Sequence, residues 1–420
     1  MNKEAHQYEL KPILGLLDAT AINIGAIIGA GIFIVTGIVA GLAGSALIIS
    51  ILIAATIAFL TALSFAKLAE WLPREGSVYD FAYKLVSPTV GFLAGWMWIL
   101  SNIFTGAAVS LGFAYYFTAI FSNLNVNLIA AIICITFTAL NYFGIRHSSI
   151  VNNFLVLAKL SILIFFFIFG LIFVNMENFN PFIPFKAGVF YGAYYIFFAY
   201  GGFARITVMA EEVKDAKRNV PRAILLSLAI STIIYILVGL TAVGLVGASR
   251  LSSSNSPLTE AISATGSIEA IYIVSTGGLI ATATVLLTSI LGVSRMVFAM
   301  ARKKDFPKFL SKLHQKYNTP YYSIWIVGIS MVILVLFIDL TRVVAISTFT
   351  MLFYYIIANV SALRLKNQER LHSRFLSALG VFTCSALLAL TIFVSPDVGT
   401  IGALGLITGA IYYFARKSIR

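Results

Sequence analysis

Charge is scarce in this chain. Only 11% of its 420 residues are Asp, Glu, Lys or Arg, whereas 60% are hydrophobic and 14% aromatic. Soluble chains carry about 25% charged residues and roughly 45–50% apolar ones, so a soluble fold of this size would leave far more apolar surface than it could bury. Soluble enzymes are excluded on that ground. Cysteine is nearly missing too: Cys134 and Cys384 both sit inside apolar stretches, which leaves neither a disulfide framework nor a metal cluster to be read. The four histidines, His6, His147, His314 and His372, all fall in polar connections, so no buried metal site is expected. The sequence lacks a GxxxxGK[ST] phosphate loop, which excludes ATP as the power source. The polar start MNKEAHQYELKP has no short apolar run with a small-residue cleavage site, so no cleavable signal peptide is expected.

What the chain has in quantity is long apolar runs. A spanning helix needs about 20 apolar residues, so twelve take about 240 residues and leave short loops. The runs predict helices at about 13–38, 44–71, 88–121, 127–144, 150–175, 187–210, 222–247, 269–300, 320–338, 342–363, 375–394 and 398–415. The expected fold class is all-α and integral to a membrane. With the N-terminus taken as cytoplasmic, the tails and even-numbered loops hold twenty-four Lys and Arg, and the opposite side holds only Lys186, Arg250 and Arg342. An excess of that kind marks the cytoplasmic side. Both termini are therefore expected inside the cell membrane, and the net charge of +13 reads as a topology signal rather than a nucleic-acid footprint.

Two of the runs carry glycine where a helix least wants it. The first contains Gly25, Gly29 and Gly31 within INIGAIIGAGIF (22–33), and the sixth contains Gly201 and Gly202 within FAYGGF (198–203). Glycine inside a helix costs about 1 kcal/mol relative to alanine, so these clusters predict interruptions near mid-span. They open spans 1–5 and spans 6–10, and with five spans per unit the second unit enters the membrane from the opposite side. This is the pattern of a 5+5 inverted repeat with discontinuous helices 1 and 6. It divides the chain into an N-terminal tail (1–12), a first repeat (13–175), a second (187–363), two additional helices (375–415) and a C-terminal tail (416–420). A broken helix frees N–H groups at a new N-terminus and carbonyls at a new C-terminus. The first attract a carboxylate and the second accept from an ammonium, so one site would recognise both ends of a zwitterion. Close helix packing through the Gly25–Gly29 pair is the competing explanation.

Two basic residues remain at membrane depth, Lys159 in the fifth span and Arg205 in the sixth. A charge there costs about 2.5–3.5 kcal/mol on insertion scales and normally faces a cavity or a partner. Burial penalises the charged form of Lys159, which would gain and lose a proton as water access alternates between the two faces. Charged, it would satisfy carbonyls freed around Ile24 and Gly25, with Thr282 or Thr284 as hydroxyl partners. A permanently charged or snorkelling lysine is the alternative. For Arg205 three partners are open: a local ion pair with Glu211 or Glu212; Asp18 at the inner end of span one, closing a cytoplasmic gate for which Arg295 would compete; or an anionic substrate side chain. Trp96 and Trp98 would pack in the core or line the substrate, and Tyr191, Tyr194 and Tyr195 would form part of an external gate. The seventh helix is expected to start at Pro221, where proline suits a first helical position.

These segments also resemble the amino acid–polyamine–organocation (APC) superfamily. INIGAIIGAGIF (22–33) looks like its first-helix motif. FFAYGGFARITVMAEEVKDAKRNVPRAI (197–224) is similar to its sixth-helix and loop signature. SRMVFAMARKKDFPKFLSKLHQKYNTP (294–320) resembles the end of its eighth helix, and LAEWLPREGSVYDFAYK (68–84) its second-to-third connection. The resemblance covers spans 1–10 and implies a leucine-transporter-like fold with two peripheral helices. It implies that a substrate carboxylate meets N–H groups around Gly29, Ala30 and Gly31, and that its amino group meets carbonyls near Ile27, Phe198, Ala199 and Gly201. VLAKLSILIFFFIFG (156–170) resembles the fifth helix of proton-coupled members, which implies proton coupling at Lys159. Many relatives carry a bulkier aliphatic residue in place of Gly201 and an acidic one in place of Ala204. The first departure leaves extra room beside the substrate, and the second leaves Arg205 without that neighbour.

The expectation is a secondary active transporter that moves an amino acid or related amine by alternating access, as a proton symporter. It needs no cofactor and no metal, its coupling ion is H+, and its partners are the substrate and the lipid bilayer, not nucleic acid. Exchange of amino acids or polyamines without net proton flow is the alternative. An intramembrane protease would need a nucleophile–base pair or paired carboxylates at depth, and a channel would need repeats around a pore.

Overall fold

A computed structural model describes residues 12–29, 31–73, 77–121, 123–144, 149–365 and 371–419. Among these residues the chain is helical with no β-strand beyond one isolated bridge. That is what a chain in lipid requires, because a helix satisfies its backbone groups internally where no water can. The helices are α1 (Leu16–Ile27), α2 (Thr36–Ala43), α3 (Leu47–Trp71), α4 (Ser77–Leu85), α5 (Pro88–Ile120), α6 (Val126–Tyr142), α7 (Ser149–Leu171) and α8 (Ala187–Phe197). They continue with α9 (Ala216–Ser252), α10 (Pro257–Ser263), α11 (Ile268–Arg302), α12 (Tyr321–Phe337), α13 (Leu340–Leu363), α14 (Leu371–Ala389), α15 (Thr391–Val394) and α16 (Pro396–Ile419). Seven helical stretches are long and apolar enough to cross a membrane, and three shorter apolar helices accompany them.

The ends of several helices are written locally. Ser87 caps α5 by accepting from the Val90 N–H with Pro88 at the first position, and Asn125, Ser267 and Asp339 cap α6, α11 and α13 in the same way. Such caps satisfy N–H groups that the helix cannot. Proline 221 departs from expectation. The helix begins at Ala216, after Asp215 in a left-handed turn, and Pro221 lies inside it. A proline this near the N-terminus forfeits one backbone bond but still fits the first turns. Gly247, with φ +73°, kinks the far end of the same helix, at the boundary read from the sequence.

Packing joins distant parts of the chain. The long helix α5 lies against α11 and α13, α3 lies against α8 and α9, and α1 lies against α9 and α7. Just before α1, Ile13 and Leu14 donate backbone N–H bonds to Glu212 O at 3.0 Å, and the Lys214 N–H donates to Leu14 O at 2.9 Å. The entry to the first span is thereby tied to the C-terminal end of the sixth.

Candidate functional site

Both glycine clusters fall where helix stops. The first helix ends at Ile27; Ile28 leaves helical geometry (φ −79°, ψ 86°), and the Gly29 N–H folds back onto Ile27 O at 3.0 Å. Helix resumes as a π-helical turn, Gly31–Val35, and runs on into α2. Ala30 lies outside the described residues. In the sixth span, α8 gives way at Phe198–Tyr200 to a 3₁₀ turn, where the Gly201 N–H donates to Phe198 O at 3.0 Å. Gly202 then takes φ +112°, a region open at little cost only to glycine. A second 3₁₀ segment, Arg205–Glu212, completes the span.

The glycines also let the two breaks touch. A Cβ on Gly202 would stand 2.7 Å from the backbone carbonyl of Ala26, and one on Gly31 would overlap Ala199. Interruption and close packing are thus both present, and the same residues serve both. Tyr235 of α9 bridges the breaks: its hydroxyl lies 2.8 Å from Ile27 O and 2.8 Å from Ala199 O. Its single proton is shared between two carbonyls, one on each interrupted span. Ile27 O therefore already faces two donors, the Gly29 N–H and this hydroxyl, which limits what it can offer an ammonium.

Lys159 is buried with 0% of its surface exposed. Its Nζ donates to Gly25 O at 2.9 Å, to Ile28 O at 2.8 Å and toward Thr284 Oγ1 at 3.4 Å. Three donors meet three acceptors, so the ammonium form is fully satisfied. The carbonyls belong to the last turn of α1 and to the residue that leaves it, hence Gly25 and Ile28, not Ile24, whose carbonyl takes the Ile28 N–H. Of the two threonines named from sequence, Thr284 faces the lysine; Thr282 bonds its own helix at Gly278 O and Leu279 O.

A cavity of about 30 Å³ lies between the breaks, lined by Ala26, Ile27, Gly29, Gly31, Phe198, Gly201 and Gly202 together with Ser101, Asn102, Thr105, Arg205 and Tyr354. That volume holds little more than one water, so the chain is drawn in tightly around it. Of its proposed protein partners, Arg205 meets neither the Glu211–Glu212 pair nor Asp18. Its Nη2 donates to Asn102 Oδ1 at 3.1 Å and its guanidinium lies 5.9 Å from the Trp98 ring centroid. Asp18 instead accepts from the Gly15 N–H at 3.0 Å and from Asn153 Nδ2 at 2.8 Å. Neither Arg205 nor Arg295 pairs with it; Arg295 lines a second, inner cavity that also borders Arg205. No group of three metal-ligating side chains occurs among the described residues.

The aromatic candidates divide. Trp96 is structural, its indole N–H donating to Gly405 O at 2.8 Å, whereas Trp98 lines the inner cavity. Tyr194 donates to Ala345 O at 2.6 Å and Tyr195 lies 3.3 Å from Ser395 Oγ. Sequence reasoning missed Tyr235, Asn102 and Tyr354. Each sits in an apolar helix where one polar side chain gives no periodic signal; only the polar atom at depth could have marked it.

The comparisons fit this geometry. The family model for amino acid permeases matches residues 14–415. The chain is 32% identical over 381 residues to the branched-chain amino acid permease BcaP of Bacillus subtilis, covering 86% of this chain and 82% of that one. It is 33% identical over 349 residues to the methylthioribose transporter of the same organism, covering 78% and 76%. It is also 30% identical over 394 residues to cationic amino acid transporter 4 of Mus musculus, covering 88% of this chain and 62% of that one. A helical membrane chain with paired breaks, matched to the family over nearly its whole length, is a transporter rather than an enzyme, and it belongs to the amino acid permeases of the APC superfamily.

Proposed function

We propose that the protein is a secondary active transporter of amino acids or closely related amines, driven by proton symport and working by alternating access. The supporting observation is the placement of Lys159, whose ammonium holds Gly25 O and Ile28 O across the first break. A neutral amine has fewer donors and no charge to offer, so loss of the proton releases one or both carbonyls. Protonation is in this way coupled to the shape of the segment that lines the central cavity. The substrate carboxylate would meet the N–H groups opening the Gly31–Val35 turn, together with Ala30. Its ammonium would meet Ala199 O, which retains a lone pair beside Tyr235, and Gly201 O. Phe198 O, already holding the Gly201 N–H, would close the same side.

In this reading twelve spans form two inverted five-helix repeats with two peripheral helices, in the cell membrane with both termini cytoplasmic. The central cavity has Arg205 and no carboxylate among its lining residues, which favours neutral side chains over lysine or arginine. The test is uptake of an amino-acid panel into proteoliposomes with and without an imposed pH gradient. Acidic-outside accumulation is expected. In Lys159→Ala the gradient should no longer drive uptake, although counterflow of labelled substrate persists. Unchanged pH dependence in that variant would defeat the symport reading, and gradient-independent exchange in the wild type would make the protein an exchanger.

A further inference from the structure

On the far side of Arg205 from the central cavity lies the inner cavity, of about 70 Å³. Two buried nitrogen donors on its walls bond to nothing: Arg205 Nη1 and Asn152 Nδ2. Arg295, exposed, stands at its lining as a second guanidinium, and no Asp or Glu is among the lining residues. Thr284 and Thr288 line it as well, but their hydroxyls already donate to carbonyls of their own helix. Asp18, a carboxylate of the same inner half, is held by the Gly15 N–H and Asn153. Glycine at position 292 makes the space: a Cβ there would stand 2.7 Å from Arg205 Nη1.

An unpaired buried cation and an unpaired buried amide are both costly, and an anion relieves both at once. The cavity has room for a few water-sized groups. Two free donors and no carboxylate among the lining residues suit a carboxylate group or a halide. We propose that the inner cavity is a binding site for a small monoanion, held by Arg205 Nη1 and Asn152 Nδ2 and drawn in by Arg295. Two sources share this chemistry. Resting on the transport reading, one is the carboxylate of a substrate leaving the central cavity, because Arg205 borders both spaces. The other is a free halide entering from the adjacent solution.

The test is the unfolding midpoint of the purified full-length protein, titrated with sodium chloride, sodium acetate or sodium gluconate at constant ionic strength. A ligand of the native state raises the midpoint saturably. Saturable stabilisation by acetate, and not by the bulkier gluconate, is expected. In both Arg205→Gln and Asn152→Leu the half-saturating concentration should rise about tenfold or more, the effect of losing a hydrogen bond to a charged group. Asn152→Leu carries the test should Arg205→Gln fail to fold. Stabilisation by acetate alone identifies a carboxylate site, and an equal effect of chloride identifies a halide site. Equal midpoints in all three salts, or saturation unchanged in both variants, overturn the proposal. Intact amino-acid counterflow beside that negative result would leave the transport reading standing.

Discussion

At the scale of single residues, adjacent glycines make different demands. Gly202 combines φ +112° with a Cβ position 2.7 Å from the Ala26 carbonyl, and neither backbone can yield. Gly202→Ala should therefore cost several kcal/mol, from left-handed strain and overpacking together (about 1–3 kcal/mol each). It should abolish uptake together with a large fall in the unfolding midpoint. Gly201 has φ −58°, and an added methyl would meet Met351 Sδ at 2.9 Å, the flexible end of a side chain. Gly201→Ala should fold, narrow the central cavity and raise KM for large amino acids more than for alanine or glycine; a uniform change across the panel would argue against this placement. Tyr235→Phe removes the hydroxyl shared by Ile27 O, which keeps the Gly29 N–H, and Ala199 O and should cost about 1–3 kcal/mol, the penalty for leaving a buried acceptor unmet. An unchanged midpoint would mean the bridge contributes nothing. The glycines and Lys159 were legible because each offends a local rule, flexibility inside a helix or charge at depth. Tyr235 offends none, and its role exists only where α9 crosses both breaks.

Among elements, the end of α11 shows how helices far apart in sequence hold one another. Arg416 of α16 donates to Lys304 O at 2.8 Å, to Phe306 O at 2.7 Å and, at 2.9 Å, to Tyr412 Oη. On the opposite side Lys303 pairs with Asp80 of α4, and the Tyr79 hydroxyl donates to Asp305 Oδ2 at 2.7 Å. Burial, reinforced by that carboxylate, pushes the Tyr79 phenol well above its ordinary pKa, so it stays a donor at every physiological pH. Arg416→Ala should free the turn at 303–307, and amide exchange there should speed up about tenfold, as expected for losing roughly 1.4 kcal/mol of local stability. Exchange unchanged in that segment would show that α4 alone holds it. Helix positions were legible from apolar runs, but one boundary and one pairing were not. The α9 start at Ala216, ahead of Pro221, depends on the Asp215 turn and on Asn219 Nδ2 donating to Lys214 O at 2.6 Å. The pairing of Asp18 with Asn153, and of Arg205 with Asn102, joins residues of different helices.

For the whole molecule, the basic residues predict which way the chain sits in the bilayer. Cys134 and Cys384 are both free and buried, so engineered thiols would label against a low background. Glu177→Cys, after α7, should react with an impermeant maleimide on intact cells, whereas Lys217→Cys, at the start of α9, should react only after permeabilisation. The reverse pattern would invert the topology. By itself the sequence determined the membrane environment, the helical class, the two interruptions and the buried lysine. Those follow from composition and from local violations of helix chemistry, which need no knowledge of neighbours. Only the tertiary structure decided that Lys159 reaches Gly25 and Ile28, that Tyr235 joins the two breaks, and that Arg205 turns to Asn102 and Trp98. Those pairings join residues up to 208 positions apart, and what selects among such partners is the packing of helices against one another, a three-dimensional fit that no single stretch of chain contains.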